Sequence, residues 1–136
     1  MYHVIIIEDD PMVASINKQY VELTSSFHVE ATFKNGILAL QYLQNCTVDL
    51  IILDYYTPQM NGDEFIDQLH AAGMTPAIIM VTSANDAETV RRLISRGVTD
   101  YLVKPFEYDR FKAALERFAK RQEELKTSTS ASDLGQ

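Results

Sequence analysis

At 136 residues with 46% hydrophobic content, the chain has the size of one ordinary domain with a single core and leaves no room for a second. Twelve basic against nineteen acidic residues, a net charge of −7, argue against a nucleic-acid or anionic-membrane footprint on this domain. A single cysteine, Cys46, excludes an internal disulfide framework, and beside Leu43 and Val48 it reads as an inert packing residue.

Val4-Ile5-Ile6-Ile7 is an apolar, β-branched strand that ends on Glu8-Asp9-Asp10. Asp10 before Pro11 suits an N-cap and first helical residue. Val13, Ile16, Tyr20 and Leu23 then recur at helical spacing and are expected to face the sheet. Phe27 to Phe33 alternates more loosely and runs into Lys34-Asn35-Gly36, the pattern of an edge strand and a turn, with His28 as a surface residue. A short helix follows from Ile37 to Leu43. Leu50-Ile51-Ile52-Leu53 is too short for a helix and is closed by the turn signals Pro58 and Asn61-Gly62, so it reads as a strand buried on both faces. Asp54 stands at its C-terminal mouth. A helix from about Gly62 turns Phe65, Ile66 and Leu69 inward. Ala77 to Val81 is a fourth strand, ending on Thr82, and Asp86 can cap a helix with Val90, Leu93 and Ile94 that stops at Gly97. Tyr101-Leu102-Val103 is the last strand and ends on Lys104-Pro105-Phe106. A closing helix from about Glu107 carries Tyr108, Phe111, Leu115 and Phe118 inward. The folded domain is expected over 1–125, with 126–136, small and polar, as a flexible tail or the start of a linker. No basic segment precedes the first strand and no apolar stretch approaches about 18 residues, so the chain reads as cytoplasmic, with no membrane partner.

Strands alternating with helices predict an open, mostly parallel α/β sheet with five strands and five helices, covered on both faces. Right-handed crossovers bring the strand mouths to one edge, where Glu8, Asp9, Asp54, Thr82 and Lys104 converge. Three carboxylates so close raise one another's pKa, and a divalent cation resolves the conflict. Oxygen-only ligands select a hard ion, and a few carboxylates with water suit Mg²⁺, which bridges to phosphate oxygens. Asp54 could then act as a nucleophile on a phosphoryl group. Metal, Lys104 ammonium and Thr82 hydroxyl would neutralise its oxygens, giving an aspartyl phosphate.

Taken together, Glu8-Asp9, the Asp54 strand followed by Pro58 and Gly62, Thr82 after Ile78-Ile79-Met80-Val81, and Tyr101-Leu102-Val103-Lys104-Pro105-Phe106 resemble the receiver domains of two-component response regulators. The resemblance spans Val4 to about Phe118. It implies a flavodoxin-like doubly wound parallel sheet of order 2-1-3-4-5. Asp54 would be the phosphoacceptor and Asp9 the more direct metal ligand, with Glu8 acting largely through water and the Tyr56 carbonyl completing the coordination. Thr82 and Lys104 would contact the phosphoryl oxygens, Tyr101 would be the aromatic switch, and the Lys104-Pro105 bond would be cis. Glu8 departs from the family, where Asp is commoner. The implied partner is a sensor histidine kinase. Glu8-Asp9-Asp10-Pro11-Met12-Val13-Ala14, Asp86-Ala87-Glu88-Thr89-Val90 and Lys104-Pro105-Phe106-Glu107-Tyr108 further resemble regulators paired with citrate and C4-dicarboxylate sensors. Those regulators usually act on DNA through a C-terminal helix-turn-helix domain, which these 136 residues do not include.

A haloacid-dehalogenase-type phosphatase needs a second Asp two residues after its nucleophile, and Tyr56 stands there. A flavin-binding module needs a phosphate loop after the first strand, where Glu8-Asp9-Asp10 would repel the ligand. A stand-alone receiver, or a non-phosphorylated one acting by protein contact alone, is the remaining alternative. For the receiver reading, inward movement of Tyr101 is expected to reshape the surface of the fourth and fifth helices. Arg91, Arg92 and Arg96 facing Glu107, Asp109 and Glu116 would then suit a homodimer through those helices.

Overall fold

A computed structural model describes residues 1–83 and 86–134, with side chains among them up to residue 126. Strand and helix alternate throughout, as β1 (Tyr2–Ile7), α1 (Pro11–Leu23), β2 (Phe27–Phe33), α2 (Gly36–Leu43), β3 (Leu50–Asp54), α3 (Gly62–Ala71), β4 (Ala77–Thr82), α4 (Ala87–Ser95), β5 (Asp100–Val103) and α5 (Tyr108–Leu134). The strands pair in parallel in the order β2-β1-β3-β4-β5. This is the expected doubly wound, flavodoxin-like sheet, with β2 on an edge. The edge is partly closed by a side chain, since Glu22 accepts a hydrogen bond from the Val29 amide at 3.0 Å.

Alternate residues of each central strand enter different cores, as the two-residue period of a strand requires. Val4, Ile6, Leu50 and Ile52 pack with Val21 of α1 and with Phe111, Leu115 and Phe118 of α5. Ile5, Ile7, Ile51 and Leu53 pack on the opposite face with Ala39 and Leu43 of α2 and with Phe65, Ile66 and Leu69 of α3. Central β3 is buried at every position, and that two-sided burial explains its unbroken apolar run.

Helix starts are fixed by the residues the sequence marks. The Asp10 carboxylate accepts from the Met12 amide at 2.9 Å, with Pro11 at the first helical position. Asn61 and Glu64 form a reciprocal capping box at the head of α3. Gly62, next in the chain, is required by space: a Cβ there would lie 2.8 Å from the Tyr55 ring and 2.9 Å from the Met80 methyl.

Three expectations differ from the structure. On α1 the buried residues are Asn17 and Val21, whereas Ile16 and Leu23 are exposed. The inner face is read wrongly from hydropathy because it includes the polar Asn17 and is followed by the buried Thr24. Ile94 of α4 is likewise exposed, leaving Leu93 as that helix's buried residue. Cys46 is exposed, not packed, because it lies beyond the α2 C-cap at Gln44 in the loop leading to β3. Helix α5 extends to Leu134. Among the described residues, no helix is long and apolar enough to cross a membrane.

Phe111 is 1% exposed and meets Tyr20 edge-on at 5.4 Å and Phe106 stacked at 5.8 Å. Phe111→Ala should therefore cost about 3–5 kcal/mol in urea unfolding. Asn61→Ala, which removes one cap, should cost only about 1 kcal/mol.

Candidate functional site

The register of the sheet places the strand ends side by side. Ile7 pairs with Leu53, Asp54 with Val81, and Thr82 with Val103. Each strand then ends on or leads into a polar residue, so Glu8, Asp9, Asp54 and Thr82 gather along one edge, and the long Lys104 side chain reaches back across β4 to join them.

Glu8, Asp9 and Asp54 each offer an oxygen, and these atoms all lie within 4.8 Å of one another. Glu8 and Asp54 are buried, while Asp9 is exposed, giving the cluster one face toward water. Lys104 bridges the two buried carboxylates, its Nζ donating to Glu8 Oε1 at 3.2 Å and to Asp54 Oδ2 at 3.3 Å. Glu8 Oε2 accepts from the Asp10 amide at 3.1 Å, and the Tyr56 amide lies 3.4 Å from Asp54 Oδ1.

Burial pushes the Glu8 carboxyl above its ordinary range, and the Asp54 charge adds to this. The Asp10 amide and Lys104 pull the other way and do not cancel the rise. For Lys104, burial disfavours the ammonium, yet Asp54 and Glu8 together hold its pKa above the usual lysine value. One ammonium among three carboxylates leaves negative charge in excess. The donors are all oxygen and partly open to water, which fits a hard divalent cation and does not fit a soft one.

Thr82 is fully buried at the end of β4, and its carbonyl accepts from the Lys104 amide at 2.8 Å. The Tyr56 side chain is exposed and lies edge-on to the Tyr55 ring, and its backbone is in the turn after Asp54. Tyr101 lies away from the carboxylates, half-buried on β5 beside Met80 and packed against the core shared with α2 and α3. The Lys104–Pro105 bond is cis.

Two charged arrangements escape sequence reading. Asp100, at the start of β5, is buried and accepts from Arg110 at 3.2 Å, Arg117 at 3.1 Å and the Tyr101 amide at 2.8 Å. Arg92 and Arg96 do not stand free for a partner chain, because both are bound to Asp63 of α3, at 2.8 and 3.1 Å. Asp67 adds a second partner for Arg96. Such pairings join residues about thirty positions apart, and only the packing of α3 beside α4 reveals them.

A profile described as response regulator receiver domain matches residues 4–116. The chain is 41% identical over 115 residues to a protein of Priestia megaterium described as a probable C4-dicarboxylate response regulator, DctR. That match covers 85% of this chain and 50% of the relative. It is 34% identical over 132 residues to the transcriptional regulatory protein MalR of Bacillus subtilis strain 168, covering 97% of this chain and 56% of the relative. The chain thus spans about half the length of these relatives. Its fold is that of the response regulatory domain of protein mrkE from Klebsiella pneumoniae, with a TM-score of 0.80 and 24% identity, covering 90% of this chain and 98% of that one.

A test of the electrostatics follows from Glu8. Its folded-state pKa lies above the unfolded value near 4.5, so the fold favours the protonated form. That contribution is complete below the unfolded pKa and is lost as pH rises through the folded one. Glu8→Gln should therefore stabilise the metal-free protein at pH 8. The gain should shrink toward pH 4.5, as followed by urea unfolding in chelator. A less stable variant at pH 8 would mean that the Lys104 bridge outweighs burial and the Asp54 charge.

Proposed function

The chain belongs to the response regulator receiver domain family, and from that premise we propose that Asp54 accepts a phosphoryl group from a sensor histidine kinase. The observation that carries this reading is the meeting of Glu8, Asp9 and Asp54 oxygens within 4.8 Å, with Lys104 Nζ bridging the two buried members.

In this reading the bond between phosphorus and the kinase imidazole nitrogen breaks as the Asp54 Oδ–P bond forms, and the imidazole keeps the electron pair. The strand mouth would present Asp54 to an incoming group on the side where Asp9 is exposed, while Glu8 and Asp54 themselves are buried. The oxygen set suits Mg²⁺: Asp9 would hold it more directly, Glu8 largely through water, with Asp54 and the Tyr56 carbonyl completing the set, and the ion would supply charge to neutralise the transferred oxygens. Lys104 has the charge and reach to hold one phosphoryl oxygen, and the Thr82 hydroxyl would hold another. Tyr101 would report the change to the face formed by α4, β5 and α5, and self-catalysed hydrolysis would reset the site, water attacking phosphorus as the Oδ–P bond breaks to release Asp54 carboxylate and inorganic phosphate.

The relatives' names motivate the finer reading, a regulator in C4-dicarboxylate sensing that controls transcription in the cytoplasm. DNA contact would come from sequence outside these 136 residues, with 126–136 leading toward it from the receiver domain over 1–125. Homodimerisation through α4 and α5 would have to use Arg91 with Glu107, Asp109 and Glu116, given that Arg92 and Arg96 are engaged within the chain.

Treating the protein with acetyl phosphate and Mg²⁺ should add one phosphoryl group by intact mass. Asp54→Asn should gain none on the same timescale, and Lys104→Ala should react at least about tenfold more slowly. Equal labelling of Asp54→Asn and the wild type would remove Asp54 as the acceptor.

A further inference from the structure

Helix α4 is weakly held by apolar packing, since Leu93 is its only buried residue among those described. What ties it to the domain is charge. Arg92 and Arg96 both donate to Asp63, on the first turn of α3, at 2.8 and 3.1 Å. The Asp63 side chain is only 20% exposed, so these pairs are shielded more than ordinary surface ion pairs.

The same carboxylate has a third donor. Tyr55, the residue after Asp54, hydrogen-bonds through its phenol to Asp63 Oδ2, and the Arg92 guanidinium stands 6.0 Å from the centre of the Tyr55 ring. The Tyr55 backbone is tied as well, its amide donating to Val81 at 2.8 Å and its carbonyl accepting from Gly62 at 2.9 Å. Gly62 leaves the space that lets the ring sit there. Tyr55 is thus fixed at amide, carbonyl and hydroxyl, and its two chain neighbours are Asp54 and Tyr56.

We propose that Tyr55 and Asp63 are positioning residues that clamp the turn carrying Asp54 and the Tyr56 carbonyl to helix α4 through one shared carboxylate. The metal-side turn and α4 then move together or not at all. This gives the site a route to α4 that does not pass through Thr82 or Tyr101. The effect on the site rests on the proposed phosphoryl-accepting reading; the hold on α4 does not.

Tyr55→Phe is the discriminating variant, because it keeps the ring, its packing and the net charge while removing the hydrogen bond to Asp63. Mg²⁺ affinity by calorimetry should fall about three- to tenfold, less than the roughly 10–100-fold lost with a group bonded directly to a metal ligand, because Tyr55 acts through the turn. The melting temperature of the metal-free protein should change little. Asp63→Asn in the metal-free protein should speed amide hydrogen exchange in 87–95 selectively, and Arg96→Gln should do so more weakly. Tyr55→Phe binding Mg²⁺ within twofold of the wild type, or α4 exchange unchanged in Asp63→Asn, would overturn the proposal. A wild type that binds no Mg²⁺ would instead remove the phosphoryl-accepting reading, and exchange in α4 would still decide whether the cluster holds the helix.

Discussion

The structure depends on a conflict that its own sheet creates. Parallel strands in register carry Glu8 and Asp54 out of the core at the same level, and Asp9 follows one residue later. Two of the three carboxylates are buried, and a single ammonium, Lys104, bridges them. Like charges held this close in a partly dry site cost stability unless something else neutralises them. The apolar runs of β1 and β3 bear that cost, since their side chains fill both cores and fix the strand mouths where they are. An acidic site of this kind is a place that gains from receiving positive charge.

The parts of the molecule that respond to such an event differ in how they are held. β4 and β5 are locked by sheet pairing, and the Asp100 carboxylate joins β5 to α5 through Arg110 and Arg117. Helix α4 lacks comparable packing and relies on ion pairs with α3. Elements with little buried apolar area open at the least free energy. Helix α5, with Phe111, Leu115 and Phe118 buried and Phe111 against Tyr20 and Phe106, is held far more by apolar packing than α4, whose buried residue is Leu93.

Much of this was legible in the sequence because the signals were local. Four-residue apolar runs, Asp10-Pro11, Asn61 and Asp86 announce strands and helix starts within a few positions, and Glu8, Asp9, Asp54, Thr82 and Lys104 each end a run that periodicity identifies. What stayed hidden depends on the packing of separate elements. Asn17 faces inward on α1 although hydropathy assigns it to water, and Cys46 turns outward because its loop does. Arg92 and Arg96 looked available for another chain until α3 placed Asp63 beside them. Tyr55 gave no sign at all, since an aromatic after a strand-end Asp reads as ordinary packing until its hydroxyl partner is seen.

The measurement that bears most directly on this account is the melting temperature of wild type and Asp54→Asn with and without Mg²⁺. Crowded carboxylates predict that metal-free Asp54→Asn melts above metal-free wild type. They also predict that saturating Mg²⁺ raises the wild type by mass action, with a much smaller rise in the variant. A metal-free Asp54→Asn that melts below the wild type, or an equal response of both proteins to Mg²⁺, would show that Asp54 is a structural group of its strand end and would contradict the account.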